Sequence, residues 1–128
     1  MLQKQSWIIA ADNTNVRWLK IFHLYGGFFR KWTTQGEFVK STARIVEPPR
    51  LEYKGFKFKF SKKGDICRII LIRQKFKNKN LDGSIVNFNN NSGLLLKKKQ
   101  ELRSKYIHGP LSKTFKRKKF KSLFNFLI

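Results

Sequence analysis

The sequence predicts a mainly β protein, a small closed β-barrel followed by a short helical end. Three observations carry that reading. Short apolar segments separated by turn residues fill the first three quarters of the chain. One of them, Ile66 to Ile72, is almost continuously apolar, the pattern of a strand buried within a barrel. After Gly109-Pro110 the apolar spacing changes from the period of a strand to that of a helix.

Taken in order, Ser6 to Ala11 reads as a strand closed by the turn residues Asp12-Asn13-Thr14-Asn15. Val16 to Leu24 reads as a second strand, ended by Gly26-Gly27. Val39, Ala43 and Ile45 alternate with Lys40, Thr42 and Arg44, which predicts a strand with one wet face, stopped by Pro48-Pro49. Phe56, Phe58 and Phe60 alternate with Lys57 and Lys59, a two-sided ribbon stopped by Lys62-Lys63-Gly64-Asp65. Such a ribbon is unstable alone in water, so its apolar edge is expected to cover protein while its lysines meet phosphate. In the strand that follows, Ile70 and Ile72 are expected to face the core. Asp82-Gly83 predicts a tight turn between Lys79 and Ile85-Val86. Leu94-Leu95-Leu96 supplies one more apolar segment. Past Gly109-Pro110, Ser112 is a candidate helix N-cap, and Leu111, Phe115, Phe120, Leu123 and Phe124 are expected to anchor one or two short helices. The whole, 1–128, reads as one domain: a barrel over 1–96 with a ribbon insertion at about 47–63, and a helical segment over 110–128.

Charge narrows the function. Lys and Arg number 29 against 7 acids, a net charge of +22, which rises along the chain from +5 over 1–50 to +7 over 51–96 and +10 over 97–128. Yet 41% of residues are hydrophobic and 15% aromatic, too many for a disordered basic tail. A folded core clothed in cations calls for a polyanionic partner, and nucleic acid is the first expectation. The lone Cys67 excludes an internal disulfide and a cysteine-based zinc site. His23 and His108 share no metal-ligand spacing with the acids, no Gly-rich phosphate cradle is present, and the seven acids are scattered. Neither an enzyme nor a resident cofactor or metal is therefore expected. The longest apolar run, Trp7 to Ala11, is five residues, far below the roughly 20 that cross a bilayer, and no membrane partner is expected. Lys, Asn, Ile and Phe make up 54 of the 128 residues, a bias toward AT-rich codons that points to an organelle or a reduced bacterium.

Ala11-Asp12-Asn13, Lys62-Lys63-Gly64-Asp65, Asp82-Gly83-Ser84 and Gly109-Pro110, in that order and with the segments around them, together resemble the universal large-subunit ribosomal protein family L-fourteen. Ala11-Asp12-Asn13-Thr14-Asn15-Val16-Arg17 resembles its A-D-N-S-G-A-R, and His23-Leu24-Tyr25-Gly26-Gly27 its V-L-G-G. Lys62-Lys63-Gly64-Asp65 running into Ile69-Ile70-Leu71-Ile72-Arg73 is similar to K-K-G-D followed by V-V-V-R. Asp82-Gly83-Ser84 with Phe88 and Asn91 resembles D-G-S-x-I-x-F-x-x-N, and Ile107-His108-Gly109-Pro110-Leu111 resembles I-F-G-P-V. The chain departs from the pattern where Asn15 replaces a glycine, a site Asn tolerates through its access to positive φ. It departs again where Lys113-Thr114-Phe115 lacks the family's acid, and in the extra length between Ile45 and Gly64.

The resemblance implies a five-stranded β-barrel with short C-terminal α-helices, lying on the large subunit at the subunit interface. It implies contact with large-subunit rRNA, with neighbouring large-subunit ribosomal proteins and with small-subunit rRNA across the interface. A ribosome-silencing factor can dock on the same face in bacteria and organelles. Composition and divergence together favour the mitochondrial ribosome and a gene carried by the organelle, with plastid or bacterial cytoplasm as alternatives. A free basic RNA-binding protein, or a membrane-surface protein using an amphipathic helix over 116–128, is the competing class.

The expected rRNA-binding cations are Arg17, Lys20, Arg30, Lys31, Lys40, Arg44, Lys57, Lys59, Lys62, Lys63, Arg73 and Lys75. Lys105, Lys113, Lys116, Arg117, Lys118, Lys119 and Lys121 are expected at the subunit interface or on rRNA. Trp18 is expected in the core, whereas Phe28, Phe29 and Trp32 fall in a loop suited to rRNA or a protein neighbour. Cys67 reads as a small buried hydrophobe, His108 as structural, and Asp12, Asp65 and Asp82 as turn residues that bond their local backbone.

Overall fold

In the computed structural model, residues 1–48 and 60–128 are described. Among them run β1 Trp7–Ala10, β2 Val16–His23, β3 Phe38–Val46, β4 Ile66–Arg73, β5 Asn78–Lys79, β6 Ile85–Val86, β7 Ser92–Leu96 and α1 Lys118–Lys121. Strands β1, β2, β3, β4 and β7 close a five-stranded barrel in that order. Every neighbouring pair is antiparallel except the closing pair, β1 with β7, which is parallel. Closure depends on Gly93, opposite Ala10: a Cβ there would stand 3.1 Å from the Ile70 carbonyl oxygen and 3.5 Å from Ile8 Cδ1.

Alternating side chains fill the barrel. Val16, Leu19 and Ile21 from β2, Val39 and Ala43 from β3, and Cys67, Ile69 and Leu71 from β4 meet Ile8, Leu24 and Leu95 inside. Ile70 and Ile72 are fully buried as well, but in a second core outside the barrel. There they join Leu94 and Leu96 beneath Leu111, Phe115, Phe120 and Phe124. Strand β4 is thus covered on both faces, which is why its sequence is a run rather than an alternation.

Trp18 differs from expectation. The β2–β3 register shifts between Val16 and Leu19, so both of those point inward and the two residues between them are left outside. Trp18 stays 38% exposed and packs edge-on against Trp7, centroids 6.3 Å apart.

The C-terminal segment is also less helical than its spacing predicts. Only Lys118–Lys121 forms a helix among the described residues, with no side-chain cap on Arg117 and three lysines crowding its single turn. Like charges and a missing cap oppose propagation of so short a helix. The segment holds its place instead by apolar anchors and by its own end: Leu111 N–H donates to the Phe126 carbonyl (3.0 Å), and Ile128 N–H to that of Leu111 (2.8 Å). Leu123, an expected anchor, is half exposed.

The β5–β6 hairpin forms around Asp82-Gly83, with Gly83 at φ 90° and Asp82 Oδ1 accepting the Ser84 N–H at 3.0 Å. Residues Phe56 to Lys59 of the Phe/Lys ribbon lie outside the described residues; Phe60, at its end, is half-buried. The described ends of the insertion are tied together by Asn15. Its Nδ2 donates to the Ser61 carbonyl at 2.7 Å and the Glu47 carbonyl at 3.3 Å, and its Oδ1 accepts the Ser61 N–H at 3.2 Å. Gln5, Tyr25 and Gln100 are the described non-glycine residues with positive φ. The asparagine therefore serves here through its amide and not through a left-handed backbone.

Candidate nucleic-acid interface

The fold sorts the cations by what holds them. Two arginines are neutralised by carboxylates. Arg17 grips Glu47 with two bonds of 2.6 and 2.7 Å, and Arg30 is paired with Glu37, which also accepts from Thr33 Oγ1 at 2.6 Å. Their charge is cancelled locally, which weakens them as phosphate ligands.

Arg73 is held inward by backbone carbonyls. It is buried, and its Nη1 donates to the carbonyl oxygens of His108 (2.8 Å) and Pro110 (3.2 Å). Burial lowers its pKa, as for any cation drawn from water. The cation fastens the Gly109-Pro110 turn onto β4, because carbonyls at the start of the C-terminal segment need a donor there.

A third group is held by aromatic rings. Lys20 lies 5.9 Å from the Trp7 ring centroid, Lys40 5.7 Å from Tyr25, and Lys119 5.9 Å from Phe120. Arg117 sits 4.3 Å from Phe38 while its Nε donates to the Gly36 carbonyl at 2.8 Å. These contacts fix position without cancelling charge.

The remaining expected cations, Lys31, Arg44, Lys62, Lys63, Lys75, Lys105, Lys113, Lys116 and Lys118, are exposed and make no ion pair among the described residues. Lys121 turns back, donating to the Lys113 carbonyl at 2.5 Å. Lys57 and Lys59 lie outside the described residues.

These side chains do not form one site. Lys62 and Lys63 precede β4 and Lys75 follows it, so about 25 Å of strand separates them. What the fold does unite is the outer face of β3 with the C-terminal segment, through Arg117. One cation missed by the sequence reading belongs there: Arg68, paired across the sheet with Lys40. Its position as a cation in the interior of an otherwise apolar run was the available signal.

Phe28 and Phe29 are 90% and 88% exposed, stacked edge-to-face on each other, and Trp32 is 55% exposed. Exposed aromatics beside Lys31 suit contact with another molecule.

The acids and the thiol have local roles. Asp12 accepts from Thr14 Oγ1 at 2.7 Å and from the Leu95 N–H at 3.0 Å, joining the first turn to β7. Asp65 accepts the Lys62 N–H at 2.9 Å. Cys67 is buried, and desolvation pushes its thiol pKa up, away from nucleophilic use.

A closed five-stranded barrel with a carboxylate-poor, cation-rich exterior defines a compact basic barrel protein. The family model described as ribosomal protein L14p/L23e matches residues 1–126. The chain is also 32% identical over 124 residues to the large ribosomal subunit protein uL14m of Tetrahymena pyriformis, with 97% of each chain covered. The chain belongs to the L14p/L23e ribosomal protein family, and its role is structural, of large-subunit type.

Proposed function

We propose that this chain is a constituent of the large subunit of a mitochondrial ribosome, binding large-subunit rRNA through phosphate contacts. The observation that carries the rRNA reading is the partition of its cations: acids hold Arg17 and Arg30, while exposed lysines such as Lys31, Lys62, Lys63, Lys75 and Lys116 make no ion pair among the described residues. The mitochondrial setting is supported by the named relative and by the AT-type composition, which also favours a gene carried by the organelle. The cations from Lys113 to Lys119 face the intersubunit side, toward small-subunit rRNA, and this is the face open to a silencing factor. Phe28, Phe29 and Trp32 meet neighbouring large-subunit proteins or rRNA.

A membrane-surface role is less well supported. The helix over 116–128 that it needs is not formed, since among the described residues only Lys118–Lys121 is helical, and Phe120 and Phe124 are buried in the second core.

A salt titration of binding to large-subunit rRNA tests the reading. With roughly six to ten phosphates neutralised, log K falls against log salt with a slope of about −4 to −9. A flat dependence would remove the electrostatic basis of the proposal.

A further inference from the structure

We infer that Lys40, Arg68 and Arg117, held by the rings of Tyr25 and Phe38, form a preformed binding site for an RNA backbone phosphate on the outer face of the barrel. The inference deepens the rRNA-binding reading and rests on it.

Arg68 is the centre. Its guanidinium carbon lies 5.3 Å from the Tyr25 ring centroid and 5.0 Å from that of Phe38. Lys40, its cross-strand partner, shares the Tyr25 ring, and Arg117 shares the Phe38 ring. Two rings therefore gather three cations from β3, β4 and the C-terminal segment. None of the three makes an ion pair among the described residues.

Two features of this cluster are costly without a ligand. Arg68 Nε is buried and makes no hydrogen bond among the described residues, although a buried charged donor ordinarily has a partner. Tyr25 holds a left-handed backbone, φ 54°, which disfavours a residue with a Cβ. That conformation is braced locally: Tyr25 N–H donates to His23 Nδ1 at 3.2 Å, and the His23 ring meets the tyrosine edge-on at 5.2 Å. Strain, an orphaned donor and unopposed like charges at one spot mark a place shaped for a partner. Three cations with no acid select an anion, and guanidinium groups match phosphate oxygens. A ring orients a cation and leaves its charge whole, whereas the carboxylates at Arg17 and Arg30 do not.

The test is binding of the full chain to a short RNA hairpin of arbitrary sequence, followed by fluorescence anisotropy across a salt series. Arg68→Gln and Lys40→Gln are each expected to weaken binding about tenfold and to lower the salt slope by about one. Arg68→Lys restores most of the slope, and Lys79→Gln, an exposed charge on the separate hairpin, changes affinity less than about twofold. Melting temperatures of all variants establish that they fold. If the unmodified chain binds and Arg68→Gln behaves as Lys79→Gln does, the cluster is not a phosphate site. If the unmodified chain does not bind the hairpin, the rRNA reading falls and this one with it. Preferential capture of polyglutamate, equally sensitive to Arg68→Gln, would assign the cluster to an acidic protein and overturn the proposal.

Discussion

The guanidinium of Arg73 donates to the carbonyl of His108 at 2.8 Å, and between that carbonyl and the next one it binds lies Gly109. The glycine stands at φ 86°, and a Cβ on it would come within 2.3 Å of Arg73 Nη1. One buried cation and one absent side chain together seat the C-terminal segment on the barrel.

Arg73→Met removes the donor and leaves two carbonyls unpaired. It is expected to cost about 1–3 kcal/mol in urea unfolding while native RNA affinity is kept. Gly109→Ala is expected to destabilise by a similar amount, about 1–3 kcal/mol, through its backbone and the clash together. A variant at Arg73 with full stability and weakened RNA binding would return this residue to the phosphate set.

Ile70→Asp places an unpaired charge between β4 and the aromatic anchors of the C-terminal segment. The cost is several kcal/mol, enough to prevent folding, and Ile70→Ala alone is expected to cost about 2–5 kcal/mol. Circular dichroism with thermal melting reads both. A near-normal melting point for Ile70→Asp would show that the second core is not formed.

Most of the barrel was legible in the sequence because strand period and turn chemistry are local. The alternation over 39–45, the run over 66–72 and the Asp82-Gly83 turn each carry their own signal. What escaped was set by partners distant in sequence. Trp18 stands outside because of a register shift against Ile45, which no pattern within β2 records. Arg73 is the final cation of an apolar strand whether it meets phosphate or His108, and only the closed fold places the turn above it. The single helical turn at Lys118–Lys121 reflects the balance between apolar spacing, which favoured helix, and uncapped like charge, which stopped it. For the interface, residue type was legible and availability was not, since pairing with Glu37 or Glu47 depends on tertiary placement.

Asp12 gives the fold a defined response to pH. Desolvation raises its carboxyl pKa, opposed by the bonds from Thr14 and Leu95 and by the charge of Arg103. The folded state therefore keeps the proton to higher pH than the unfolded chain does. The stability this contributes is full below the ordinary aspartate value and is lost as pH rises through the raised folded value. A series of melting temperatures from acid toward neutral pH should show this decline, and Asp12→Asn should remove it. Parallel curves for the two proteins would contradict the assignment.

Reversing the exposed lysines Lys116, Lys118 and Lys119 to Glu, with Arg117 left in place to hold Gly36 and Phe38, should leave the fold intact. The same variant should weaken assembly into the subunit or joining of subunits, read by gradient sedimentation. Unchanged assembly and joining would mean these lysines are only solvated.

The most direct test of the central claim is sedimentation of the tagged chain from lysed mitochondria through a high-salt sucrose gradient. The chain should travel with the large ribosomal subunit and remain there at salt that strips loosely bound proteins. Recovery at the top of the gradient as free protein, or with the small subunit alone, would contradict its place in the large subunit.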